Sequence, residues 1–168
     1  FQSSEVRGEQ LLTQVQNILA ISGAAKVNLI GHSHGNQSIR YVAAAVPGKI
    51  SSVTGVGGPN TGSPVADVIK GATTIPGLGP IAATVISGVI NGFFTVVDIL
   101  SGEGYRQDAL AGLDSLTTKG AAAFNAKYPQ AMPTTKCAEG AYSVNGVRYY
   151  SWSGVGHLTN ALDIIDPA

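Results

Sequence analysis

Between Glu9 and Ser22 the apolar residues fall at Leu11, Leu12, Val15, Ile18 and Leu19. That spacing marks one face of an amphipathic helix, and Gly23 is a suitable stop for it. The pattern then changes. Val27 to Ile30 is a short apolar run rich in β-branched residues, as expected of a buried parallel strand. After a glycine-flanked turn, Gln37 to Val46 reads as helix until Pro47 and Gly48 close it. Ile50 to Val56 reads as a second strand, ended by GGPNTG. Helix, strand, tight turn, helix, strand is the α/β pattern of a parallel sheet with crossover helices.

The middle of the chain has another character. Between Lys70 and Asp98 there is no charge at all. The run is long enough to raise a transmembrane helix. Pro76, Pro80, Gly88, Asn91 and Gly92 interrupt it, however, and no Lys or Arg cluster flanks it. Two readings remain: a buried core helix, or an apolar cover over a greasy cleft. No transmembrane anchor is expected. Gln107 to Phe124 returns to a helical pattern, with Leu110, Leu113 and Leu116 at three-residue spacing. AYSVNGVRYY then gives two strand-like runs around Asn145–Gly146, a type I′ hairpin signal. YYSWSG extends the second run. No repeat or low-complexity linker interrupts the chain, so residues 1–168 read as a single partial α/β domain.

Composition narrows the function. Ten Lys and Arg balance ten Asp and Glu, and charged residues are only 12% of the chain. That leaves no basic face for nucleic acid and no polybasic membrane patch. There is one cysteine, Cys137, either a buried free thiol or half of a disulfide. One Cys and three His give no metal-ligand spacing.

The chemistry is concentrated in VNLIGHSHGN. Gly31, His32, Ser33, His34 and Gly35 match G-x-S-x-G, placed directly after a strand and before a helix. A serine hydroxyl is a weak nucleophile and has to project where a base can reach it. A sharp strand-to-helix turn lifts Ser33 above the sheet edge, and Gly31 and Gly35 remove side chains that would collide across the bend. The backbone N–H of His34 then lies near a helix N-terminus, where an oxyanion would develop. His32 and His34 are neighbours on a tight turn and point away from the serine, His32 packing under the elbow and His34 lining its mouth. In this fold an Asp or Glu and then a His follow the serine. His157 is the one histidine beyond the elbow, a possible base or an exposed loop residue. Nothing before Glu9 can supply a strand for the second oxyanion donor.

SSEVRGEQLL, KVNLIGHSHG, RYVAAAVP, FNAKYPQ and YYSWSG resemble the secreted triacylglycerol lipases of Pseudomonas and Burkholderia, over nearly the whole chain. The resemblance implies a partial α/β-hydrolase fold: central parallel strands, a nucleophile elbow at Ser33, and a helical lid over about 62–120. It implies that Ser33 is the nucleophile and the His34 amide an oxyanion donor. It places Cys137 at the first cysteine of a disulfide whose partner, like the catalytic Asp and His and the structural calcium ligands, lies beyond Ala168. The strand that completes the oxyanion hole lies before Phe1. It implies secretion, acylglycerols at a lipid–water interface as substrate, and a dedicated folding chaperone. Two positions depart from the family: Asn36 replaces a usual glycine, and Asn60 replaces the histidine of a Pro-His-x-Gly-Ser stretch. The alternatives are a small-ester esterase or thioesterase, or a lipid-binding module without catalysis.

Overall fold

The structure is a computed structural model that describes residues 2–74, 76–77, 79–81, 83–84, 87–88, 108–135 and 138–154. Cys137 and His157, most of the charge-free segment and the chain after residue 154 lie outside the described residues.

The first helix, α1 (Ser4–Ser22), starts five residues before the apolar periodicity does. Ser3 caps it, its hydroxyl accepting from the Val6 N–H, and Gly23 ends it in the left-handed region at φ 67°. Strand β1 (Val27–His32) leads into α2 (Gly35–Ala45). A short 3-10 turn at Pro47–Lys49 then delivers β2 (Ile50–Val56). Next come α3 (Pro64–Thr73), α4 (Ala109–Leu116) and α5 (Thr118–Lys127). The predicted helix over Gln107–Phe124 is therefore two helices. Thr117 divides them: its extended backbone at ψ 158° closes α4, and its hydroxyl accepts from the Gly120 N–H to open α5. The hairpin is present as β3 (Ser143–Val144) and β4 (Val147–Trp152). Asn145 and Gly146 both take positive φ, 53° and 78°, as a type I′ turn requires.

The sheet order is β1-β2-β4-β3. β1, β2 and β4 run parallel, and β3 pairs antiparallel with β4. Strand alternation gives the sheet two faces. Leu29, Val53 and Val147 point to one side, a register shift between Ile50 and Ser52 brings Ile50 to it as well, and the four join Val15, Ile39, Val42 and Ala43 from α1 and α2 in the core. The two helices approach closely at Gly8, where a Cβ would stand 2.4 Å from the Tyr41 ring. Ile30, Tyr150 and Trp152 on the other face are exposed among the described residues.

Candidate active site

The Gly31–Gly35 turn joins the carboxyl end of β1 to the start of α2. Ser33 adopts φ 53°, in the left-handed region where a non-glycine residue is held only by its surroundings. Those surroundings are backbone. The Ser33 N–H donates to Val56 O at the end of β2 (3.0 Å), and Ser33 O accepts from the Asn36 N–H (3.0 Å). Strand pairing therefore grips one side of the residue and the first turn of the helix the other. The bend is so tight that a Cβ on Gly31 would lie 2.6 Å from Gly35 O. A glycine at 31 is a steric requirement; at 35 the space beside Cα is open. Ser33 itself is exposed.

The two histidines sit the other way round from the sequence expectation. His32 is exposed, and His34 is buried at 4% exposure. The reason is strand parity. His32 is the last residue of β1 and falls with Asn28 and Ile30 on the open face, in register with Val56 and Trp152. His34 instead turns inward beneath the start of α2. Its Nε2 is 2.9 Å from the Ser4 hydroxyl on α1. Burial pushes its imidazole down to about 3, with the Arg7 charge acting in the same direction, so the ring is neutral at pH 7.

The two unusual asparagines are in contact. Asn36 Nδ2 donates to Asn60 Oδ1 at 2.6 Å. Asn36 fits because Gly55 and Gly58 face it: a Cβ at either would come within 2.6 Å of its side chain. The network continues outward. Asn60 O accepts from Asn125 Nδ2 (2.7 Å), and Asn125 Oδ1 accepts from Arg40 Nη1 (2.8 Å). Arg40 Nη2 also donates to Tyr128 O at 2.8 Å. Arg40 is 6% exposed and lies against the Phe124 ring. Burial lowers it to about 10, which leaves it charged at neutral pH. This chain ties the elbow helix to the loop after β2 and to α5. The sequence signals both asparagines as departures but carries no sign that they meet.

Around that network lies a cavity of about 510 Å³, lined by Asn36, Arg40, Asn60, Tyr149 and residues of the 130–142 segment. Ser33 does not line it. Helix α3 stands on another side. Ser63 N–H donates to Leu116 O, Asp67 Oδ1 accepts from the Thr118 N–H at 2.9 Å, and Lys70 pairs with Asp114 at 2.8 Å. Val65 and Val68 on this helix are 67% and 74% exposed. Among the described residues, no three His, Cys, Asp or Glu side chains group closely enough to hold a metal ion. The calcium that the resemblance implies finds no ligand set among the described residues. No helix of the described residues is long and apolar enough to cross a membrane.

Residues 3–168 match the alpha/beta hydrolase fold family. The chain is 53% identical over 167 residues to a triacylglycerol lipase of Vibrio cholerae, covering 99% of this chain and 53% of that protein. It is 45% identical to a triacylglycerol lipase of Pseudomonas fragi, covering 98% and 56%, and 43% identical to one of Burkholderia plantarii, covering 88% and 42%. The chain thus spans about half the length of the curated relatives it matches. Among solved structures, Bacillus licheniformis lipase BlEst2 in its mature form superposes with a TM-score of 0.51 at 19% identity, over 89% of this chain and 47% of that one. That likeness speaks to fold alone.

Proposed function

The chain belongs to the alpha/beta hydrolase fold family, and from that membership we propose that it carries the nucleophile of a secreted triacylglycerol lipase. One observation carries the reading. Ser33 stands exposed with φ 53° on a strand-to-helix turn that tolerates no side chain at Gly31. Holding a serine there costs on the order of 1–3 kcal/mol, and such strain clusters at functional sites. Identity of 43–53% to triacylglycerol lipases directs the chemistry to carboxylic esters.

On this reading Ser33 Oγ attacks the ester carbonyl while a histidine base takes its proton. The tetrahedral oxyanion is met by the backbone N–H of His34 at the start of α2. Collapse expels the alcohol, which takes the proton from the same histidine, and leaves an acyl-Ser33 ester. Water then repeats the sequence and releases the fatty acid. The base histidine and its Asp belong to the half of the relatives' length that this chain does not span. His32, exposed on the open sheet face, and His34, buried beneath the start of α2 against Ser4, serve no part of that role. The family resemblance likewise supports a structural calcium, a disulfide partner for Cys137 and a dedicated folding chaperone.

The segment from about 62 to 120 acts as the lid. Exposed Val65 and Val68 on α3 support this, as does the charge-free run that follows. An apolar outer face favours lipid surfaces over small soluble esters. The test is a chain-length profile for the protein expressed from its full reading frame. Emulsified long-chain triacylglycerol should be preferred over short soluble esters, and Ser33→Ala should abolish both activities. Preference for short soluble esters would make it an esterase. Vesicle binding without any ester hydrolysis would make it a lipid-binding module.

A further inference from the structure

His34 shares a buried hydrogen-bond relay with residues from three different helices. Ser4 on α1 is 1% exposed, Gln37 on α2 is 1% exposed and His34 is 4% exposed. The Ser4 hydroxyl lies 2.9 Å from His34 Nε2 and 2.7 Å from Gln37 Oε1. Gln37 Nε2 in turn lies 3.3 Å from Ser115 O on α4. A further bond, Ser4 N–H to Ser115 Oγ at 3.2 Å, holds the start of α1 to the same residue.

The relay has only one consistent direction. Ser115 O is a backbone carbonyl and can only accept. The Gln37 amide must therefore turn its NH2 toward Ser115 and its oxygen toward Ser4. That oxygen also only accepts, so the single hydroxyl hydrogen of Ser4 is committed to Gln37. Toward His34, the Ser4 oxygen can then only accept. The proton between them has to come from the imidazole.

We propose that Ser4 is a positioning residue for the oxyanion donor: the Ser115 carbonyl, Gln37 and Ser4 fix His34 in the neutral Nε2–H tautomer and thereby hold the peptide that follows Ser33. The inference rests on the assignment of the His34 amide made above. Its logic is that of a second-layer hydrogen bond that fixes ring orientation. His34 is one residue from Ser33, so a ring free to rotate or exchange tautomers leaves the amide less well aimed. An oxyanion donor that is misplaced in the transition state lowers kcat and leaves substrate binding nearly unchanged.

The test is histidine ring 15N NMR with steady-state kinetics, on the protein from its full reading frame. His34→Gln identifies the His34 signals by their loss. In the wild type, Nε2 of His34 should show the protonated, pyrrole-type shift and Nδ1 the unprotonated one, unchanged from pH 5 to 8. Gln37→Met should free the Ser4 hydrogen to turn toward His34, giving a mixed or reversed tautomer. Ser4→Ala should remove the tautomer preference and lower kcat about 10-fold with KM within 2-fold. If Ser4→Ala does not fold, Gln37→Met carries the test alone. An Nδ1–H ring in the wild type would overturn the inference, as would a tautomer unmoved by the variants. Ester hydrolysis that survives Ser33→Ala would instead defeat the functional reading, and the ring signals would still decide the relay.

Discussion

The elbow and the α3 region are held in opposite ways. At the elbow, β1 and α2 are fixed by backbone pairing, by glycines without spare room, and by buried polar groups whose partners come from α1, α4 and α5. Helix α3 is joined to α4 and α5 by contacts near the surface: the Asp67 cap on Thr118 and the Lys70–Asp114 pair, with side chains 33% and 58% exposed. It buries Ala66 and leaves Val65 and Val68 outside. A site that must place a hydroxyl and an amide to a fraction of an ångström needs the first kind of support. An element that moves at a lipid surface needs the second, because local opening draws on weakly held segments.

The contrast is broken most severely at Gly31. Gly31→Ala puts a methyl 2.6 Å from Gly35 O and 2.9 Å from Asn36 N, with backbone on both sides and nothing flexible to yield. Ester hydrolysis should fall at least 100-fold, and urea unfolding should show a loss of about 3 kcal/mol. The same change at Gly35, where the space is open, should be far milder.

A pH series tests the buried side of the comparison. His34 is lowered to about 3 in the fold against an ordinary value of 6.5. Between those values the unfolded chain binds a proton that the folded one refuses. Stability is therefore complete above about pH 6.5 and declines on acidification toward pH 3, by at most about 1.4 kcal/mol per pH unit. Unfolding free energies from urea titrations at pH 7 and 4.5 should differ on the order of 2–3 kcal/mol more in the wild type than in His34→Gln.

Arg40→Met removes a buried cation and leaves Asn125 Oδ1 and Tyr128 O without their donor. About 2 kcal/mol should be lost, seen as a shifted denaturant midpoint. Lys70→Ala sits at the other end of the scale. The pair it breaks is solvent-screened, so stability should change by less than about 0.5 kcal/mol.

Legibility followed sequence distance. The elbow was readable because its local signals are contiguous: the strand before it, the glycine the bend demands, and the helix after it; the grip of Val56 O on the Ser33 N–H, 23 residues on, was not. The hairpin was readable because Asn145–Gly146 states its own turn. The start of α1 was not, since Gly8 argues against helix. Its reason is the Tyr41 ring, 33 positions later, which needs the space. The break at Thr117 follows directly on the last residue of the leucine spacing, with no Gly or Pro to announce it; only the capping chemistry of its hydroxyl marks it. The placement of His34 depended on Ser4, 30 residues away, and a turn pentapeptide cannot announce such a partner. Asn36 and Asn60 were each visible as departures, but their bond across 24 residues is a property of the fold.

The central claim is that Ser33 forms the acyl-enzyme. The most direct measurement is intact-protein and peptide mass spectrometry after treating the protein from its full reading frame with an activated alkylphosphonate ester, which leaves a stable adduct on a nucleophilic serine. The account predicts one adduct per chain, on the peptide containing Ser33, and none in Ser33→Ala. An adduct on another serine, or equal labelling of the Ser33→Ala protein, would contradict it.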